Sequence, residues 1–116
     1  MMDHEGSGAL RMTLRFVAAG CLAACAVMPA LAQESGADTY KARCAMCHGD
    51  DGTANTPAGK MFKAASFSDP AIVKIADADR IPIVKKGKDK MPAFGDKLTD
   101  DQIKSVLEYI RTLEKK

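Results

Sequence analysis

Cys44-Ala45-Met46-Cys47-His48 concentrates more reactive groups than any other stretch of this chain. On a helix the two thiols fall at i and i+3, with the imidazole at i+4, so all three point to one side. That triangle suits a flat macrocycle carrying two vinyl groups on one edge and an iron at its centre. Each thiol adds across a vinyl to form a thioether, and the imidazole reaches the iron from below. The C-x-x-C-H spacing is accordingly a haem attachment signature. Other chemistries share the pattern: a thioredoxin-like redox pair, a simple disulfide, or half of a zinc site. A redox pair sits beside a βαβ pattern, and no convincing strand is visible. Zinc needs two further ligands, and residues 33–116 hold no other cysteine or histidine.

An iron held by His48 has a second axial position, and the candidates for it are Met46, Met61 and Met91. Met46 lies inside the attachment turn and cannot cross to the other haem face. Met61 follows His48 too closely and belongs to the proximal loop. Met91 comes much later, between two expected helices. Pro92 after it restricts its backbone. A methionine there is also an ordinary core filler, so the ligand role is an expectation.

These residues need helices to carry them. Residues 37–47 read as one helix, with Asp38 favourable in its first turn. Gly49 to Gly59, dense in Gly, Asn and Pro, reads as a loop. Ser68-Asp69-Pro70 reads as a helix start. A further short helix begins at Asp77 or Asp79 and stops at Gly87. The Asp79 register is less strained, because it puts Pro82 in the first turn. Thr99-Asp100-Asp101-Gln102 is a capping box, and Ile103, Val106, Leu107, Ile110 and Leu113 then recur on one helical face. The expected class is all-α, with three to five helices.

The chain is 116 residues long, and its first third does not read as folded protein. Arg11 and Arg15 precede an apolar run from Phe16 to Met28, and Pro29-Ala30-Leu31-Ala32 supplies small residues for cleavage. This is the pattern of a secretory signal peptide over residues 1–32, cut after Ala32. The run is shorter than the about 20 residues a membrane span needs. Leu22-Ala23-Ala24-Cys25 also resembles a lipobox, which would make the product a membrane-anchored lipoprotein at Cys25. Met12 is an alternative start. Either processing route delivers residues 33–116 to an oxidising compartment, expected to be the periplasm.

That domain is small and has little aromatic material: Tyr40, Phe62, Phe67, Phe94 and Tyr109, with no Trp. Small domains need a staple such as a metal or cofactor, and a thin core leaves room for a large apolar one. Charge over the whole chain is nearly balanced, 17 basic against 15 acidic residues, which argues against nucleic acid. The distribution is uneven, because Lys85, Lys86, Lys88 and Lys90 crowd together just before Met91.

Cys44-Ala-Met-Cys-His48-Gly, then Lys90-Met91-Pro92-Ala93-Phe94, then the capped helix ending Leu107-Glu-Tyr-Ile110-Arg closely resemble the small class I cytochromes c. The likeness is nearest to short bacterial periplasmic members and to the soluble photosynthetic cytochromes of algae and cyanobacteria. It spans nearly all of residues 36–113. It implies the cytochrome c fold, with first and last helices crossing beside one covalent haem c. It also implies a glycine-aromatic contact at Gly36 and Tyr40, with Tyr109 as the aromatic partner. Pro57 resembles the proline whose carbonyl accepts a hydrogen bond from the ligand histidine, here His48.

The expected function is a single-electron carrier with no catalysis and no small-molecule substrate. With His48 and Met91 bound, iron has no open position, and His/Met ligation raises the potential. The expected partners are redox proteins, donor and acceptor, docking near Lys85, Lys86, Lys88 and Lys90. The rival classes are a haem enzyme or gas sensor, which needs a labile sixth site, and a fixed subunit of a larger dehydrogenase or oxidase.

Overall fold

The computed structural model describes Gly20 and residues 33–115. The expected leader (Gly20 apart), its cleavage site and the alternative anchor at Cys25 lie outside the described residues. Six helices run through the rest: α1 (Gly36–Arg43), α2 (Ala45–His48), α3 (Pro57–Phe62), α4 (Pro70–Val73), α5 (Asp77–Lys86) and α6 (Asp100–Leu113). Two of them, α2 and α4, are single turns. Among the described residues there is no sheet, only a bridge between Lys88 and Met91. The all-α expectation holds.

Local chemistry explains the boundaries and corrects three expected ones. Ser35 caps α1 by accepting the Asp38 N–H at 3.1 Å. The helix expected over 37–47 is broken at Cys44, where φ is −118°. Pairing survives the bend, since the Cys44 N–H donates to Tyr40 O and Cys44 O accepts from His48 N–H. The loop expected from Gly49 to Gly59 ends early, at the start of α3, because Thr56 accepts the Gly59 N–H at 2.8 Å and Pro57 takes the first helical position. Helix α5 begins at Asp77, so Pro82 lies inside it. A proline there forfeits one donor, while Asp77 and Asp79 both favour the positive end of the helix. The capping box of α6 forms in full, with Thr99 and Gln102 exchanging hydrogen bonds at 3.2 and 2.8 Å.

Helix α6 supplies most of the core. Ile103, Val106, Leu107, Ile110 and Leu113 are buried, with Tyr40, Phe67, Val84, Phe94 and Leu98 from other segments. Each fully buried aliphatic contributes about 1.5–3 kcal/mol relative to exposure. Helices α1 and α6 cross closely, because Gly36 lies against the Ser105 backbone and a Cβ there would run into the Ser105 carbonyl oxygen. Beside the crossing, the Tyr40 and Tyr109 rings lie 5.2 Å apart at 55°. Both contacts agree with the resemblance.

A charged cluster ties the α4–α5 turn to the end of α6. Arg111 donates to Val73 O and Ile75 O and pairs with Asp77 and Glu114. Arg80 donates to Ile72 O and Ile75 O and lies 2.7 Å from Glu114.

Candidate functional site

Cys44, Cys47 and His48 line a cavity of about 420 Å³ between the helices. This volume is ordinary for a cofactor pocket, which spans about 300–1,000 Å³. The bend at Cys44 turns the short α2 so that both thiols and the imidazole reach the same space. Both thiols are free and half-buried. Burial pushes the Cys44 thiol up to about 11, against the opposing pull of Arg43. Cys44 therefore meets a reaction partner chiefly as a protonated thiol at neutral pH. Among the described residues, no cluster of three or more His, Cys, Asp or Glu is placed to hold a metal ion. Among the described residues, nothing is placed to complete the half-zinc alternative.

His48 is fixed from two directions. Its Nδ1 donates to the Ala65 carbonyl oxygen at 2.8 Å. Its ring stacks on Phe67, with centroids 4.6 Å apart and planes 18° from parallel. A carbonyl only accepts, so Nδ1 carries the proton and Nε2 is left with a lone pair. Burial also pulls the His48 pKa below its ordinary value, outweighing the Ala65 bond that raises it. The imidazole is thus held in the neutral form that a metal requires.

The acceptor is Ala65, which corrects the expected role of Pro57. Pro57 opens α3, so its carbonyl belongs to that helix's own ladder. The chain leaves α3 at Lys63, in the left-handed region, and swings Ala65 back toward His48. Neither Ala65 nor Phe67 stood out in the sequence: a backbone acceptor leaves no signature, and Phe67 read only as one scarce aromatic.

Met91 lines the same cavity. It is held by reciprocal backbone bonds with Lys88 at 2.9 and 3.2 Å. Gly87 makes this turn possible: it ends α5 at φ 76°, and a Cβ on it would come 2.5 Å from Met91 O. Past Met91, the Phe94 and Gly95 N–H groups donate to Val84 O and Lys85 O, fastening the segment to α5. Met46 and Met61 are 79% and 73% exposed. Met46 touches the cavity margin, while Met61 does not line it.

The remaining wall is mostly aliphatic and aromatic, including Phe67, Ile72, Ile83, Val84, Phe94, Leu98 and Leu107, with Arg80 as the buried exception. Two thiols, a neutral imidazole and a thioether around an apolar space are a donor set that fits haem. A family model described as cytochrome c oxidase, cbb3-type, subunit III matches residues 31–110. The chain belongs to this family of class I cytochromes c.

Relatives agree. The chain is 32% identical over 77 residues to cytochrome c6 of Gracilaria tenuistipitata var. liui, covering 66% of this chain and 68% of that one. The structure is similar to the KustC0563 c-type cytochrome, with a TM-score of 0.63 and 29% identity over 69% of this chain and 98% of that one. It is also similar to cytochrome c6C from Synechococcus sp. PCC 7002, with a TM-score of 0.54 and 28% identity over 69% and 95% of the two chains. This cytochrome is therefore a haem-containing electron carrier with one covalently bound haem c and redox proteins as partners. Among its described residues, no helix is long and apolar enough to cross a membrane.

Of the four lysines expected to guide docking, Lys88 and Lys90 line the cavity. Lys85 is committed elsewhere, with its Nζ 2.7 Å from Asp100 Oδ1. That contact, through its hydrogen bond first and its charge second, holds the Asp100 carboxyl below its ordinary value. Lys86 is exposed and does not line the cavity.

Proposed function

We propose that this cytochrome is a soluble shuttle in which Cys44 and Cys47 hold the haem covalently and His48 and Met91 are its axial ligands. The observation that carries this reading is the convergence of all four side chains on one apolar cavity. When bound, haem supplies a one-electron Fe(II)/Fe(III) couple. The chain does the rest. Ala65 and Phe67 orient His48, the bridge to Lys88 holds Met91, and the aliphatic wall excludes water. Two axial side chains leave no position for a substrate, so the protein catalyses nothing itself. A soft thioether and apolar surroundings favour Fe(II) and raise the potential.

The signal-peptide pattern over residues 1–32 supports a periplasmic location, with lipid anchorage at Cys25 as the alternative. Donor and acceptor dock at the cavity margin, steered by the lysine run. A second reading, a fixed subunit of an oxidase, draws on the description of the matching family. Co-purification of a stable partner would favour it.

The ligand assignment is tested by comparing Met91→Ala with Met61→Ala. Met91→Ala is expected to abolish the near-infrared sulfur-to-iron band of the oxidised protein, lower the potential and admit added ligands. Met61→Ala is expected to do none of these. The opposite pattern would transfer the ligand role to Met61.

A further inference from the structure

We propose that Thr56 is a positioning residue for His48: its hydroxyl clamps the attachment turn from outside the cavity and ties the ligand's backbone to the segment that holds its ring. This rests on the haem reading above and names a residue through which the chain sets the ligand.

The turn that carries Cys47 and His48 has little stability of its own. Helix α2 is one turn long, Cys44 caps it with no side-chain bond, and the bend at Cys44 separates it from α1. A single turn fixes several dihedrals for one hydrogen bond and does not persist alone. Its last carbonyls also lack partners within the helix. The carbonyls of residues 46–49 each meet a donor from elsewhere in the chain. Tyr40 O–H donates to Gly49 O at 2.6 Å, and Ala54 N–H donates to His48 O at 2.7 Å. The remaining two, Met46 O and Cys47 O, lie 2.8 and 3.1 Å from Thr56 Oγ1. One hydroxyl proton serves both, while the oxygen accepts the Gly59 N–H at 2.8 Å.

The same oxygen begins α3. Thr56 is its N-cap, and that helix leads through Lys63 to Ala65, whose carbonyl accepts from His48 Nδ1 at 2.8 Å. Thr56 therefore joins the backbone of the ligand turn to the segment that orients the ligand's ring. The joint is close: Gly59 lies against Cys47, and a Cβ on it would run into the Cys47 carbonyl oxygen. Thr56 itself does not line the cavity, so its hydroxyl acts on His48 only through these bonds. With the clamp gone, α2 and α3 part more readily, and the Nδ1–Ala65 bond that sustains the basicity of His48 opens more often.

The test compares Thr56→Val, Thr56→Asp and Thr56→Ser in the holoprotein at neutral pH. Valine removes both functions of the hydroxyl. Aspartate is a good helix cap but, ionised, has no proton to give the two carbonyls. Serine keeps both. The first readout is solvent exchange of the His48 Nδ1 proton in the reduced form, followed by ¹⁵N-edited NMR. Exchange is expected to quicken about tenfold in Thr56→Val and Thr56→Asp, the scale of one hydrogen bond lost from a local opening. The second readout is the reduction potential, which should rise in Thr56→Val because a less basic imidazole favours Fe(II). Thr56→Ser should match the wild type in both. A Thr56→Asp protein whose exchange equals that of the wild type would reduce Thr56 to a helix cap and overturn the proposal. So would unchanged exchange and potential in Thr56→Val. Should Thr56→Val not retain haem, the Asp and Ser variants decide by themselves. A wild-type polypeptide mass lacking haem would overturn the haem reading together with the proposal.

Discussion

The Nδ1 of His48 lies 2.8 Å from the Ala65 carbonyl oxygen, and the ring it belongs to stacks on Phe67. The two contacts act at right angles to each other: one sets the tautomer and the rotation of the ring in its plane, the other the tilt of that plane. Phe67 also touches the aromatic pair of the helix crossing, with its centroid 6.4 Å from that of Tyr40. It is therefore core residue and ligand support at once.

Phe67→Ala should show both roles. Loss of a buried aromatic costs about 3–5 kcal/mol, read as a fall in the denaturant midpoint of the holoprotein. Electron paramagnetic resonance of the oxidised form should broaden as the freed imidazole samples more orientations. Phe67→Leu should recover much of the stability and little of the spectral sharpness. Equal recovery of both would reduce Phe67 to packing alone.

Gly36→Ala should destabilise the crossing of α1 and α6. The added Cβ meets the Ser105 carbonyl oxygen, which belongs to helix backbone and cannot rotate away. Overpacking of this kind costs about 1–3 kcal/mol, measurable by thermal or denaturant unfolding. The haem spectrum should stay unchanged, since Gly36 does not line the cavity.

The chain without haem should be largely unfolded. The cavity of about 420 Å³ is walled by Phe67, Val84, Phe94, Leu98, Val106, Leu107 and Ile110, which are also core residues. Removing the cofactor leaves these side chains packed on one side only, so cofactor binding energy becomes folding energy. Circular dichroism of a Cys44→Ala, Cys47→Ala chain made without haem should show little helix and no cooperative melt. Native-like helix content with a sharp transition would refute this.

Steering should come unequally from the lysine run. Lys88 and Lys90 edge the cavity, whereas Lys85 is neutralised by Asp100. Surface charges raise encounter rates more than affinity, and salt screens them over about 10 Å at 0.1 M. The second-order rate of electron transfer to an acidic partner should fall with salt. Replacing Lys88 and Lys90 by Gln should flatten that dependence, and Lys85→Gln should change it little. A salt-independent wild type would make the lysines bystanders and docking mainly apolar.

The sequence by itself determined the covalent chemistry and the helices that bear it. The spacing of Cys44, Cys47 and His48 puts them on one side of a single turn, an arrangement that survives the break at Cys44. The Thr99 capping box and the apolar stripe of α6 are local patterns that survive any tertiary arrangement. Met91 stood out because Pro92 and its place between two helices restrict what it can do.

Tertiary structure decided what depends on chain return. The acceptor for His48 is a backbone carbonyl at Ala65, and every residue carries a carbonyl, so no side chain announces it. Phe67 reaches the histidine only because α3, not among the expected helices, carries the chain around. Whether Lys85 is free or paired was settled by Asp100, on another helix. Arg80 carried no signal in the sequence, and only the fold buries it, against the Ile72 and Ile75 carbonyls and Glu114.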